Sequence, residues 1–416
     1  MTEEPDFQGR SGTGFTARTG CPASVYIHIP FCGAKCAYCD FFSLPVNNFS
    51  AGFIENFLES LFAELEVFLE TWKPSACPTL YVGGGSPSVL PPRTLLRFLR
   101  KVRKPLPSQP EEFTLEANPE SLTEEFLCLC REAGVSRLSL GLQTFNPRFL
   151  KLLGREAAPE DNHRALKLLD RHWTGERSFD LMYGFPGQKP EEAIEDAREA
   201  LDHGAGHISA YSLTVEEGTP LFRTIQKGHL PPPNDDTAED AHLLLSSFLT
   251  ERGYANYEIS NYALAGKECR HNTRYWKLHP YRGIGPAAVS TLPTATGPIR
   301  LSGKRSVSAS CPPEPDIEII SPQDFLKDYI LMGLRTQEGI DTKTFFRIFH
   351  LDFYETFSHA VQKNIRFMAN NEHRSLYCAL TPKGRRLLNP ILIDFFEKID
   401  RLAYRGPLDW PLATEQ

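Results

Sequence analysis

At 416 residues, with 41% hydrophobic and 23% charged side chains, the chain has an ordinary globular composition and room for one large unit plus a small one. A net charge of −7 gives no global attraction to nucleic acid or to an anionic membrane, and no apolar run is long enough to cross a bilayer. Met1 to Arg18 lack the basic head and apolar run of a secretory signal, which predicts a disordered tail over 1–20 and a cytoplasmic protein.

From residue 25 to about 252, short β-like runs alternate with amphipathic helical runs. Strands are expected at Val25–Ile29, Thr79–Val82, Glu112–Glu116, Ser136–Leu140, Ser178–Met182 and His207–Leu213, each apolar or β-branched and ending at a turn. Between them, Phe53, Ile54, Phe57, Leu58, Leu61, Phe62 and Leu65 recur at helical spacing. Ser121 with Glu124 predicts a capping box for the helix that stops before Gly134. A further helix runs from the Pro231–Asp236 turn to Gly253. Six strand–helix pairs require right-handed crossovers, giving a doubly wound sheet or a barrel. Gly, Pro, Ser and Thr crowd the stretch from Pro293 to Pro315, which predicts a linker over 291–318 between a unit at 21–290 and a small helical or winged-helix-like domain at 319–416. In that small domain a helix is expected at Pro322–Leu334, a strand at Ser375–Thr381 and a helix start at Pro382–Leu388.

Among ten cysteines, three fall within eight residues where the first strand ends: Cys32-Gly-Ala-Lys-Cys36-Ala-Tyr-Cys39. Thiolates at this spacing suit an iron–sulfur cluster, which usually takes four; three leave one iron open to a further ligand. Zinc would call for a second pair of ligands downstream at finger spacing, and none is present. The others, apart from Cys128 and Cys130, are scattered singly, as small buried hydrophobes are. Tyr81-Val-Gly-Gly-Gly-Ser-Pro87 follows the second strand, where glycines allow close backbone approach and free amides can meet a charged ligand. Glu116, Gln143 and Asp180 lie at or near the ends of successive strands, with Arg155 in Leu-Leu-Gly-Arg. At strand mouths such groups can converge on one ligand.

Cys-x3-Cys-x2-Cys with Tyr38 before the last cysteine resembles the signature of radical S-adenosylmethionine enzymes. The segments carrying the glycine triplet, Glu116, Gln143, Arg155 and Asp180 are similar to the coproporphyrinogen-oxidase-like (HemN/HemW) branch, over most of residues 24 to 400. The resemblance implies a partial (β/α)6 barrel, TIM-like, with a [4Fe–4S] cluster on Cys32, Cys36 and Cys39. It implies S-adenosylmethionine contacts from Tyr26, Tyr38, Gly84, Gly85, Ser86, Glu116, Gln143, Arg155 and Asp180. Ser86 stands where the family usually has Thr, and Ala157 where it commonly has His. The oxidases of the branch carry a fourth cysteine two residues after the third; here that position is Phe41, which disfavours oxidation of coproporphyrinogen III. Cys269-Arg-His271-Asn-Thr-Arg-Tyr275-Trp276 is similar to a motif that the branch's haem-chaperone group associates with haem. By that resemblance the chain binds haem or a related tetrapyrrole, with His271 as the implied haem residue. It then delivers haem to a recipient haem protein, with no nucleic-acid partner and no integral membrane segment.

Overall fold

Apolar and polar side chains alternate along the expected strands, so each strand has one face fit for helices and one fit for a polar interior. In the computed structural model, which describes residues 15–310, 313–369 and 376–412, these strands are β1 (Ser24–Ile29), β2 (Thr79–Gly84), β3 (Glu112–Ala117), β4 (Arg137–Gln143), β5 (Glu176–Tyr183) and β6 (His207–Ser212). They pair in parallel in chain order. Register aligns the apolar rows, with Val25 beside Leu80, Leu80 beside Phe113, and Phe179 beside Ile208. That row packs under the helices α1 (Ala51–Trp72), α2 (Pro92–Arg103), α3 (Glu124–Ala133), α4 (Pro159–His172), α5 (Pro190–Asp202) and α6 (Asp235–Thr250) to form the main core. The opposite row, running from Glu116 through Ser139 and Ser178 to His207, is polar and faces the barrel lumen.

The sheet stays open, extended on both sides. Beyond β6 lies the antiparallel β7 (Asn261–Ala263); beside β1 lies β8 (Tyr281–Ile284), parallel to it and followed by antiparallel β9 (Val289–Thr294), β10 (Gly297–Ser302) and β11 (Asp316–Ile319). Much of the expected linker over 291–318 is therefore sheet. Pro293 and Pro298 sit opposite each other at the tip of the β9–β10 hairpin, while Leu292, Ile299 and Leu301 reach the main core. The breakers up to Pro298 belong to that hairpin, while the described residues from Gly303 to Pro315 form neither strand nor helix, as a loop would.

Two smaller expectations also change. Thr123, not Ser121, caps α3 by accepting the N–H of Phe126, because Pro119–Ser121 forms its own 3₁₀ turn first. Of the expected disordered tail, residues 1–14 lie outside the described residues. Phe15 packs near Trp72, and Arg18 hydrogen-bonds Pro293 and Trp410 through its N–H and its guanidinium. After β11, a second core gathers Phe325, Phe345, Phe349, Phe353, Phe357 and Phe395. It includes α8 (Pro322–Arg335) and α9 (Leu388–Leu402), and Leu278 from the barrel side joins it. Of the strand expected at Ser375–Thr381, Ser375 lies outside the described residues and Tyr377–Cys378 is strand. No helix among the described residues is long and apolar enough to cross a membrane.

A buried ion pair fixes the floor of the lumen. Glu112 at the start of β3 accepts from Arg137 Nε at 2.9 Å and from the N–H groups of Arg270 and His271, at 3.2 and 3.0 Å. It thereby caps the short helix Arg270–Trp276, here α7, and ties it to the barrel. Breaking a buried pair strands the surviving charge, so Glu112→Ala is expected to cost about 3–5 kcal/mol. Arg97→Ala, which removes an exposed partner of Glu55, is expected to change stability by no more than about 1 kcal/mol. Urea unfolding of both variants checks the contrast, and equal midpoints would contradict it.

Candidate metal centre and cofactor cavity

Chain geometry around β1 sets out the three cysteines. Beyond Ile29 the backbone crosses Pro30 into a two-residue strand, Phe31–Cys32, paired with Leu44–Pro45. Between those partners the loop carries Cys36 and Cys39, joined by a hydrogen bond from the Cys39 N–H to the Cys36 carbonyl at 3.3 Å. All three cysteines line one cavity of about 350 Å3 that continues down the lumen. Among the described residues no three His, Cys, Asp or Glu side chains converge on a single metal position. Burial raises the thiols of Cys32 and Cys36, and the guanidinium of Arg155 near Cys36 opposes that rise.

Arg155 is held by the Gly141 carbonyl at 2.7 Å and by Asn118 Oδ1 at 3.4 Å, with Cys36 Sγ at 3.9 Å. Its Nε is buried without a partner. Glu116, half-buried, accepts from Tyr81 Oη at 2.7 Å and from the Gly84 N–H at 2.9 Å, yet desolvation still raises its carboxyl. Asp180 is pushed up to about 7 by burial and by the charge of Glu116, against hydrogen bonds from Ser209 and Ser139. Burial likewise raises the phenol of Tyr38. Gln143 reaches the cavity from a β-bulge, where its backbone takes a positive φ of 65°.

The glycine triplet works differently from the expected amide cradle. The N–H groups of Gly84, Gly85 and Ser86 are already taken by Glu116, Ile29 and Phe31. What the missing side chains provide is room for protein groups. A Cβ on Gly83 would lie 2.5 Å from the Glu116 carboxyl carbon, and one on Gly84, at φ 116°, would lie 2.6 Å from the His28 ring. The turn is a socket for Glu116 and His28.

Of the expected residues, Tyr38, Gly84, Gly85, Ser86, Glu116, Gln143, Arg155 and Asp180 share the cavity with the three cysteines. Tyr26 lines a neighbouring cavity that Gly84 and Glu116 also border, and its hydroxyl meets His28 Nδ1 at 2.9 Å. His271 lines neither. It is 1% exposed, and both ring nitrogens are engaged, Nδ1 with Thr79 Oγ1 at 2.7 Å and Nε2 with Tyr275 Oη at 2.7 Å. In this arrangement it is a pillar inside the barrel, closed to an incoming iron. Sequence reasoning passed over Asn118, Ser139, Ser209 and Tyr211, which also line the cavity. Their signal was available: Thr114-Glu116-Asn118, Arg137-Ser139, Ser178-Asp180 and His207-Ser209-Tyr211 are polar at every second position.

Comparison with known proteins accords with this layout. The radical SAM superfamily matches residues 26–200. The haem chaperone HemW of Lactococcus lactis is 31% identical over 383 residues, covering 90% of this chain and 97% of its own. The chain belongs to the HemW family of radical SAM proteins. HemW of Escherichia coli is 39% identical over 272 residues, 64% of this chain and 69% of its own. The fold is shared with the solved coproporphyrinogen III oxidase HemN of Escherichia coli, at a TM-score of 0.74 and 20% identity over 90% of each chain.

Membership of the superfamily implies a [4Fe–4S] cluster and S-adenosylmethionine. The residues present fit both groups. Three cysteines rim the cavity, an incompletely satisfied guanidinium stands beside one of them, and two half-buried carboxylates, Glu116 and Asp180, face the same space. A cationic ligand binds best to the ionised form of Asp180. Since that group titrates near 7, affinity for S-adenosylmethionine should rise about tenfold between pH 6 and pH 8. The same sign makes the ligand-free fold lose stability as pH climbs towards 7, because the native state favours the protonated acid. Calorimetric titration of wild type and Asp180→Asn checks this, with the variant expected to show a flat profile. An equally steep rise in the variant would assign the titration elsewhere.

Proposed function

We propose that the chain is a haem chaperone: it binds haem and passes it to a recipient haem protein, while carrying a [4Fe–4S] cluster and S-adenosylmethionine. The observation that carries this reading is the 31% identity to a HemW protein over nearly the full length of both chains. Phe41 supports it from the sequence, standing where the oxidases of the branch have a fourth cysteine; its side chain is 71% exposed at the rim.

Cys32, Cys36 and Cys39 would hold the cluster through three irons, leaving the fourth for S-adenosylmethionine. When bound, the pair supplies one-electron cleavage chemistry of the kind the superfamily uses. The chain's own residues bind and shield. Glu116, kept in place by Tyr81 and Gly84, and Asp180 offer negative charge to the amino and sulfonium groups; Arg155 offers its guanidinium to the carboxylate. Tyr26, Tyr38, Gly84, Gly85, Ser86 and Gln143 complete the walls around the methionine and adenosine parts.

The alternative, oxidation of coproporphyrinogen III, is separated by one assay. Reduced, cluster-loaded protein incubated anaerobically with S-adenosylmethionine and coproporphyrinogen III is expected to give no vinyl product, while the same preparation takes up haem and yields it to an apo-haem protein. Vinyl products, with no transfer of haem, would replace the chaperone reading by the oxidase one.

A further inference from the structure

A second cavity, of about 980 Å3, opens at the other end of the barrel from the cysteines. Its walls include Pro22, Pro78, Glu111 and Pro280, each just ahead of a parallel strand, and Pro411 and Leu412 from the C-terminal region. Across it runs one face of α7. Helical spacing divides that segment: His271 and Tyr275 point into the barrel, while Arg270, Arg274 and Lys277 line the cavity.

Three cations and three carboxylates, Glu111, Glu268 and Glu338, line this cavity, but they are not paired one to one. Arg270 is paired with Glu111, and Lys277 with Glu338 at 2.8 Å. Arg274 has no ion pair or side-chain hydrogen bond with any described residue, and its Nε is buried without a partner. Such a group is costly to leave unmatched. Beside it stands His279, whose backbone N–H bonds the Arg274 carbonyl at 2.9 Å, after a turn in which Leu278 takes a positive φ of 50°. The His279 ring makes no hydrogen bond with a described residue, unlike the ring of His271. Burial and the charges of Arg274 and Lys277 hold its imidazole down at about 4, so a neutral nitrogen lone pair is available at pH 7.

A lone pair without a hydrogen bond, a guanidinium without an ion pair, and walls of proline, leucine and the Trp276 ring, over which the Arg335 guanidinium lies, describe a ligand with three properties. It needs a metal or acidic proton for the imidazole, a carboxylate for Arg274, and a flat apolar body. A free phosphate answers only the guanidinium; an iron porphyrin with propionate arms answers all three. We propose that this cavity is the haem seat, with His279 as axial ligand to the iron and Arg274 on a propionate. The inference rests on the chaperone reading and gives it a place, separated from the cluster by the length of the lumen.

The test is a ferric haem titration into full-length, cluster-loaded protein, read by the Soret band and by electron paramagnetic resonance. His279→Ala is expected to shift the Soret maximum and weaken binding by about tenfold or more, and added imidazole should restore the band. Arg274→Gln should weaken binding about tenfold while leaving the band position unchanged. His271→Ala should keep the wild-type band position. Because Arg274→Gln leaves the imidazole in place, it decides the case should His279→Ala fail to fold. Unaltered ligation in His279→Ala, or unaltered affinity in Arg274→Gln, would overturn the assignment while haem uptake by wild type still stood. Wild type that takes up no haem would overturn the chaperone reading, and the seat with it.

Discussion

Parallel strands enclosed in a barrel commonly carry apolar side chains on both faces. Here one face is polar, and the rest of the molecule depends on how those buried groups are matched. Within the lumen each polar group has either a protein partner or an unfilled claim on a ligand. The Ser24–Thr79–His271–Tyr275 and Ser178–His207–Tyr257 chains are internally matched, and Glu112 and Arg137 pair beside them, with Arg137 Nη1 left without a partner. Above them the acids of Glu116 and Asp180 and the guanidinium of Arg155 are only partly matched. Below them lie Arg274 and His279. Partly matched groups thus stand towards both ends of the barrel, where the two cavities open.

His271 takes its meaning from that division. With Thr79 donating to Ser24, Nδ1–H donates to Thr79 and Nε2 accepts from Tyr275, so a neutral imidazole fulfils both bonds. Burial, aided by the charge of Arg274, holds the ring neutral, at about 3. The segment around it is short, yet it faces three ways. Asn272 lines the cofactor cavity, His271 and Tyr275 pack with Tyr81 and Tyr281 inside, and Arg274 turns towards the lower cavity. Glu112 fixes all three faces at once by capping the first turn.

The alternation of strands and helices from β1 to β6 was plain in the sequence because apolar periodicity reports burial directly. The three cysteines were plain because their spacing reports a local loop. What escaped was set by distant partners. The β9–β10 hairpin reads as a linker because proline at a hairpin tip and proline in a loop look alike until Leu292 and Ile299 are known to meet the main core. The triplet Gly83–Gly85 reads as a ligand cradle because nothing local says that Glu116, over thirty residues on, fills the space. His271 and His279 are eight residues apart, and only the tertiary environment shows that one is engaged on both sides and the other open. The motif points to His271; His279, whose ring has no hydrogen bond to a described residue, lies just beyond it.

In the proposed reading, Cys32, Cys36 and Cys39 would hold a four-iron cluster with one corner left for S-adenosylmethionine. Mössbauer spectroscopy of anaerobically reconstituted, iron-57-labelled protein tests it most directly. About four irons and four sulfides per chain are expected, with one iron changing its isomer shift when S-adenosylmethionine is added and the others unmoved. A spectrum indifferent to S-adenosylmethionine, or full iron content after all three cysteines are replaced by serine, would contradict it.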